Sequence, residues 1–119
     1  MSAVAMVLVL LVVVIHIYIV VLEMFFWEAR GPKVFRAFPR DLFAPTKAMA
    51  FNQGAYNGIL VAGLCWSLVI PDDAWQRNVA AFFLLAVAAM GIAGALSVSK
   101  QILFVQTIPA LLALAAVLI

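Results

Sequence analysis

The chain has 119 residues, of which 69% are hydrophobic and 10% charged, with a mean hydropathy of +1.25. Soluble domains carry about 45–50% apolar and about 25% charged residues, so this composition excludes an ordinary soluble domain. A net charge of +2 gives nucleic-acid binding no support, and a single cysteine, Cys65, excludes an intramolecular disulfide or a cysteine metal centre.

The expectation is one domain, residues 1–119, all-α: an integral membrane bundle of four transmembrane helices with both termini on the outer side. A helix crosses the hydrocarbon core in about 20 residues. Four segments fit, at about 3–27, 46–70, 78–96 and 100–119. The first apolar run, from Ala3 to Leu22, has no positive leader and is longer than a signal-peptide core, so it reads as a retained helix. Thr46 precedes the second span. Pro71 stops it, and Asp72 or Asp73 can cap the next. Ser97-Val98-Ser99 leaves room only for a tight helical hairpin.

Between the first two spans lies a polar segment, 28–45. Its Val34, Phe35, Phe38, Leu42 and Phe43 alternate with charges, and its prolines limit any helix to short pieces. It reads as a segment on the membrane surface with phenylalanines dipping inward. Arg30, Lys33, Arg36, Arg40 and Lys47 border this loop and Lys100 borders the last one, leaving only Arg77 opposite. By the positive-inside rule, loops 28–45 and 97–99 are cytoplasmic.

Polar side chains stand out inside these spans because lipid cannot solvate them. His16 and Glu23 share a face of the first span, seven residues apart. At 1.5 Å per residue they are separated by roughly 10 Å, too far for a direct hydrogen bond. Tyr18 points almost opposite. Asn52, Gln53, Tyr56 and Asn57 form a polar shelf on the second span. Gly54 and Gly58 beside them make a GxxxG packing groove, and Gly91 and Gly94 supply small residues in the third. Gln101, Gln106 and Thr107 open the fourth, where Pro109 frees the Val105 carbonyl and bends the helix. The orientation places nearly all these groups in the cytoplasmic half of the bilayer, with His16 deepest.

The strings His16-Ile17-Tyr18-Ile19, Leu22-Glu23-Met24-Phe25 with Trp27, Lys33-Val34-Phe35, Asn52-Gln53-Gly54 with Tyr56-Asn57-Gly58, and Val105-Gln106 with Pro109-Ala110 run through nearly the whole chain. In them the chain resembles domain-of-unknown-function family 1304, small bacterial integral membrane proteins. The resemblance implies a four-helix, multi-pass protein of the bacterial inner membrane and carries no activity with it. Small multidrug transporters are similar only in length, span number and a glutamate in the first helix, and no motif is shared around Glu23.

Three functions compete. The leading one is a hydrated inner-leaflet cavity that binds or transports a small molecule or lipid. Glu23 is its charge partner, and Asn52, Gln53, Asn57 and Gln106 orient the ligand. Trp27 and Tyr56 form aromatic walls, and His16 is a deeper polar group. The second is a membrane enzyme using His16 or Glu23 in acid–base chemistry, weakened by the lack of any nucleophile motif or cofactor loop. The third is a structural subunit or homo-oligomer packed through Gly54 and Gly58, in which the polar groups merely hold helices together. Expected partners are membrane lipids and a small molecule. No cofactor, metal or nucleic acid is expected, since no spacing here matches a metal motif.

Overall fold

A computed structural model describes residues 1–119. The chain is all-α, with no strand. Helix α1 covers Ala3–Phe25, α2 Trp27–Val34, α3 Lys47–Val69, α4 Asp73–Ser97 and α5 Ile108–Leu118. A single 3-10 turn, Arg40–Leu42, and a π-helical segment, Leu103–Thr107, complete the regular structure. The four long segments close a ring in which α1 touches α3 and α5, and α4 touches the same two.

Local chemistry sets the ends of these elements. The Ser2 hydroxyl caps α1 by accepting from the Ala5 amide at 3.2 Å. Asp72 caps α4 by accepting from the Trp75 amide at 2.8 Å. The expected start near residue 78 is therefore about one turn late: the α4 helix begins at Asp73 and carries Asn78 inside it. Thr46 precedes α3 without capping it, because its hydroxyl donates backward to the Leu42 carbonyl at 2.6 Å. The polar segment 28–45 is more ordered than expected. After a bend at Phe26 the chain resumes as α2, which ends two residues beyond Pro32.

The core is aliphatic and small-residue rich. Val9 and Val12 of α1 meet Leu64 of α3, Leu84 and Val87 of α4, and Ala110 and Ala113 of α5. The outside is equally apolar. Val4, Val7 and Val14 of α1, Phe82 of α4 and Leu112 of α5 are all exposed. Helices α1 and α4 are each long and apolar enough to cross a membrane, and Leu103–Leu118 is apolar but shorter.

The glycines differ in what they permit. A Cβ on Gly54 lies 2.5 Å from Met24 Cγ and 3.1 Å from Glu23 Cβ, so Gly54 lets α3 approach α1 closely. Gly91 faces Thr107 and Gly94 faces Ile102, which seats the π-helical segment on α4. Gly58 has nothing within 4 Å. The GxxxG pair is thus split: Gly54 packs within the chain and Gly58 does not.

Candidate functional site

A cavity of about 870 Å³ opens between α1, α3, α4 and the π-helical segment. Its walls are mostly apolar, including Leu22, Leu60, Met90 and Ile102. Glu23 reaches it from α1. Gln53, Tyr56 and Asn57 reach it from α3, and Gln106 from the π-helical segment.

Glu23 and Asn57 are both buried, and Asn57 Nδ2 donates to Glu23 Oε1 at 2.6 Å. The close approach at Gly54, one turn earlier on α3, makes this contact available. The second carboxylate oxygen of Glu23 has no protein hydrogen-bond partner and is not sealed off, so it is presented to the cavity.

His16 is completely buried and does not line the cavity. Its Nδ1 lies 2.8 Å from the Val12 carbonyl oxygen. A carbonyl only accepts, so Nδ1 carries the hydrogen and Nε2 is left as an acceptor. Gln106 Nε2 then donates to His16 Nε2 at 3.2 Å. His16 stands behind Gln106, and Gln106 meets the cavity. His16 and Glu23 are held by different partners on different helices, with no bond between them.

The π-helical segment explains how two consecutive polar residues serve two helices. A π turn inserts an extra residue into the helical ladder, and such bulges recur at functional sites. Here Gln106 turns toward α1, while Thr107 donates to the Ala88 carbonyl of α4 at 3.3 Å. Pro109 follows within the first turn of α5. Its missing N–H removes one rung of the regular ladder at this place.

An aromatic cluster closes one end. Trp27 stacks at tilted angles on Phe35, Phe38 and Phe43, with ring centroids 5.6, 6.0 and 4.8 Å away. Its indole Nε1 donates to the Thr46 hydroxyl at 3.0 Å. Gly31 makes room for Phe43, whose ring atoms lie 2.5 and 2.8 Å from the position of a Cβ there. Trp27, Val34, Phe35 and Phe38 face the cavity. The loop phenylalanines therefore pack largely on Trp27.

Among the sequence candidates, Glu23, Trp27, Gln53, Tyr56, Asn57 and Gln106 meet at one cavity. Asn52 is exposed and outside it. Tyr18, read as pointing away, lines the same cavity, because the opening extends around the flank of α1. Phe35 and Phe38 were legible only as amphipathic loop residues, and nothing in their spacing marks them as cavity wall.

An all-α bundle with an apolar exterior that buries one carboxyl, one imidazole and two amides, those of Glu23, His16, Asn57 and Gln106, is the class these features define. The chain belongs to the family described as Protein of unknown function (DUF1304), whose model matches residues 10–118. The matched stretch takes in every residue lining the cavity. No curated protein and no solved structure matches the chain.

Proposed function

We propose that the protein spans the bacterial inner membrane four times and binds, or carries, a small amphipathic molecule or lipid in this cavity. The exposed apolar faces of all four long segments support the four spans, since water would penalise them and lipid would not. Six of the seven Lys and Arg residues lie at one end of the bundle, which supports a cytoplasmic position for that end, with loops 28–45 and 97–99, and an outer one for both termini. The cavity then opens within the inner leaflet, with the Trp27 cluster at its cytoplasmic boundary.

The observation that carries the reading is the buried Glu23 carboxyl, with one oxygen held by Asn57 and the other left for an occupant. Interhelical hydrogen bonds in membranes are worth only about 0.6 kcal/mol on average. Insertion scales put an acidic residue at a helix centre at about 2.5–3.5 kcal/mol, and the buried Glu23, third from the end of α1, bears a part of that cost. Adhesion alone does not repay it.

The test uses protein with Trp66→Phe and Trp75→Phe, leaving Trp27 as the sole indole, in phosphatidylcholine vesicles. Titration with the uncharged amphiphile 11-bromoundecanol should quench Trp27 saturably. Filling the cavity with Ala86→Phe and Ala93→Phe should leave only linear quenching from the bilayer. A linear response in the unfilled protein would remove the cavity from the function.

A further inference from the structure

The hydrogen-bond directions around the cavity restrict what it accepts. Among the 27 residues lining it there is one formally charged side chain, Glu23, and no Lys, Arg or His. Asn57 uses an N–H on Glu23, so its carbonyl oxygen remains unused. Gln106 uses an N–H on His16, and the Val12 carbonyl fixes that direction through the imidazole. The Gln106 carbonyl oxygen is therefore unused as well. Glu23 offers its second oxygen. Each of these amides also keeps a second N–H, and Gln53, Gln101 and the Tyr18 and Tyr56 hydroxyls can donate, so the neutral groups are mixed; the one formal charge belongs to Glu23, which only accepts when ionised and leaves the cavity negative or neutral.

The apolar part is biased in the same direction. Tyr18, Trp27, Phe35, Phe38 and Tyr56 supply five aromatic rings to the lining. Ring faces attract cations and repel anions. Nothing there neutralises a phosphate, sulfate or carboxylate, and burying an unpaired anion beside Glu23 is strongly unfavourable.

We propose that the occupant is an amphipathic ammonium: a protonated amine that donates to Glu23 and the unused amide oxygens, attached to an apolar body that fills the remaining volume. This rests on the cavity being a binding site and adds the chemistry of what it selects. Free hydrophobic amines and aminophospholipid headgroups share that chemistry. No covalent step is involved. His16 is a positioning residue, which fixes the direction of the Gln106 amide without touching the ligand.

The experiment compares three probes of one chain length in the sole-indole protein at pH 8: 11-bromoundecylammonium, 11-bromoundecanol and 11-bromoundecanoate. Quenching by the cavity-filled variant is subtracted to remove bilayer partitioning. The ammonium should bind at least ten-fold more tightly than the carboxylate, with the alcohol between. Glu23→Gln should bring the ammonium to within two-fold of the alcohol, both measured in that variant. Equal or tighter carboxylate binding overturns the inference while the cavity reading stands. Retention of the full ammonium preference in Glu23→Gln also overturns it. If none of the three binds saturably, both fail. The wild-type comparison decides the matter even if Glu23→Gln does not fold. Repeating it with phosphatidylethanolamine in the vesicles separates the sources: several-fold weaker ammonium binding identifies the lipid headgroup as a competitor, and unchanged binding identifies a free amine.

Discussion

Asn57 of α3 donates its side-chain amide to Glu23 of α1 at 2.6 Å, and this is the one side-chain bond that joins those two helices. Asn57→Leu removes the donor and leaves a buried carboxylate oxygen unpaired. The expected loss is about 1 kcal/mol, near the low end for an unsatisfied buried group because the cavity still gives Glu23 some access to water. Unfolding in mixed micelles by sodium dodecyl sulfate measures it. In a double-mutant cycle with Glu23→Leu, which removes the acceptor, a coupling indistinguishable from zero would mean that the bond contributes nothing to the fold.

The glycines separate intrachain packing from contact with a second copy. Gly54→Leu forces α3 off Met24 and Glu23, and Gly91→Leu forces the π-helical segment off α4. Each should cost about 1–3 kcal/mol as overpacking. A Cβ at Gly58 meets nothing beyond its own helix, so Gly58→Leu should leave folding stability within about 0.5 kcal/mol, as surface substitutions do. Its effect is then confined to oligomer size, measured by light scattering in detergent. A large stability loss in Gly58→Leu without any change of size would contradict this assignment.

Pro109→Ala restores an N–H for the Val105 carbonyl and removes one reason for the irregular ladder. Residues Leu103–Ile108 should regularise and exchange their amide hydrogens more slowly, and Gln106 should rotate away from His16. Hydrogen exchange by mass spectrometry follows the segment. Unchanged rates would show that Thr107 and Gly91, not the proline, hold the π turn in place.

Asp73 ties one end of the bundle together. Hydrogen bonds from the Met1 amine and then from Arg77 hold its carboxyl below the ordinary 3.8. Arg77 in turn donates to the Val117 carbonyl of α5 at 2.8 Å. A carboxyl whose folded pKa is depressed stabilises above its unfolded pKa, and the contribution fades as pH falls through the folded value. Wild type should therefore lose more thermal stability than Asp73→Asn between pH 5 and pH 3, a window set by the 3.8 reference. Parallel pH profiles would show that the exposed cluster has no energetic role.

The orientation is open to direct labelling. In a Cys65→Ser background, Ser99→Cys should react with a membrane-impermeant maleimide only after the inner face is exposed, and Asp72→Cys should react from outside. The opposite pattern would place the cavity in the outer leaflet and reverse the direction of access.

Much of this was readable from the residues. Apolar runs of about 20 residues fixed four helical segments because a backbone in lipid must satisfy its own hydrogen bonds. His16, Glu23, Asn57 and Gln106 stood out because apolar surroundings make unpaired polar groups costly. The rise of the helix kept His16 and Glu23 apart along one face, and Pro109 marked the irregular place in the last helix.

Periodicity gives the direction in which a side chain points along its own helix. It carries no information about which neighbour occupies that direction. Asn52 and Asn57 lie at the two edges of the polar shelf, and the wheel does not say which edge meets a neighbour; only Asn57 faces α1. Gly54 and Gly58 are equal as small residues, yet only Gly54 is covered. Tyr18 joined the cavity, and His16 withdrew behind Gln106, for the same reason. Those partners lie 34 to 90 residues apart along the chain, and only the closing of the ring brings them within hydrogen-bond reach.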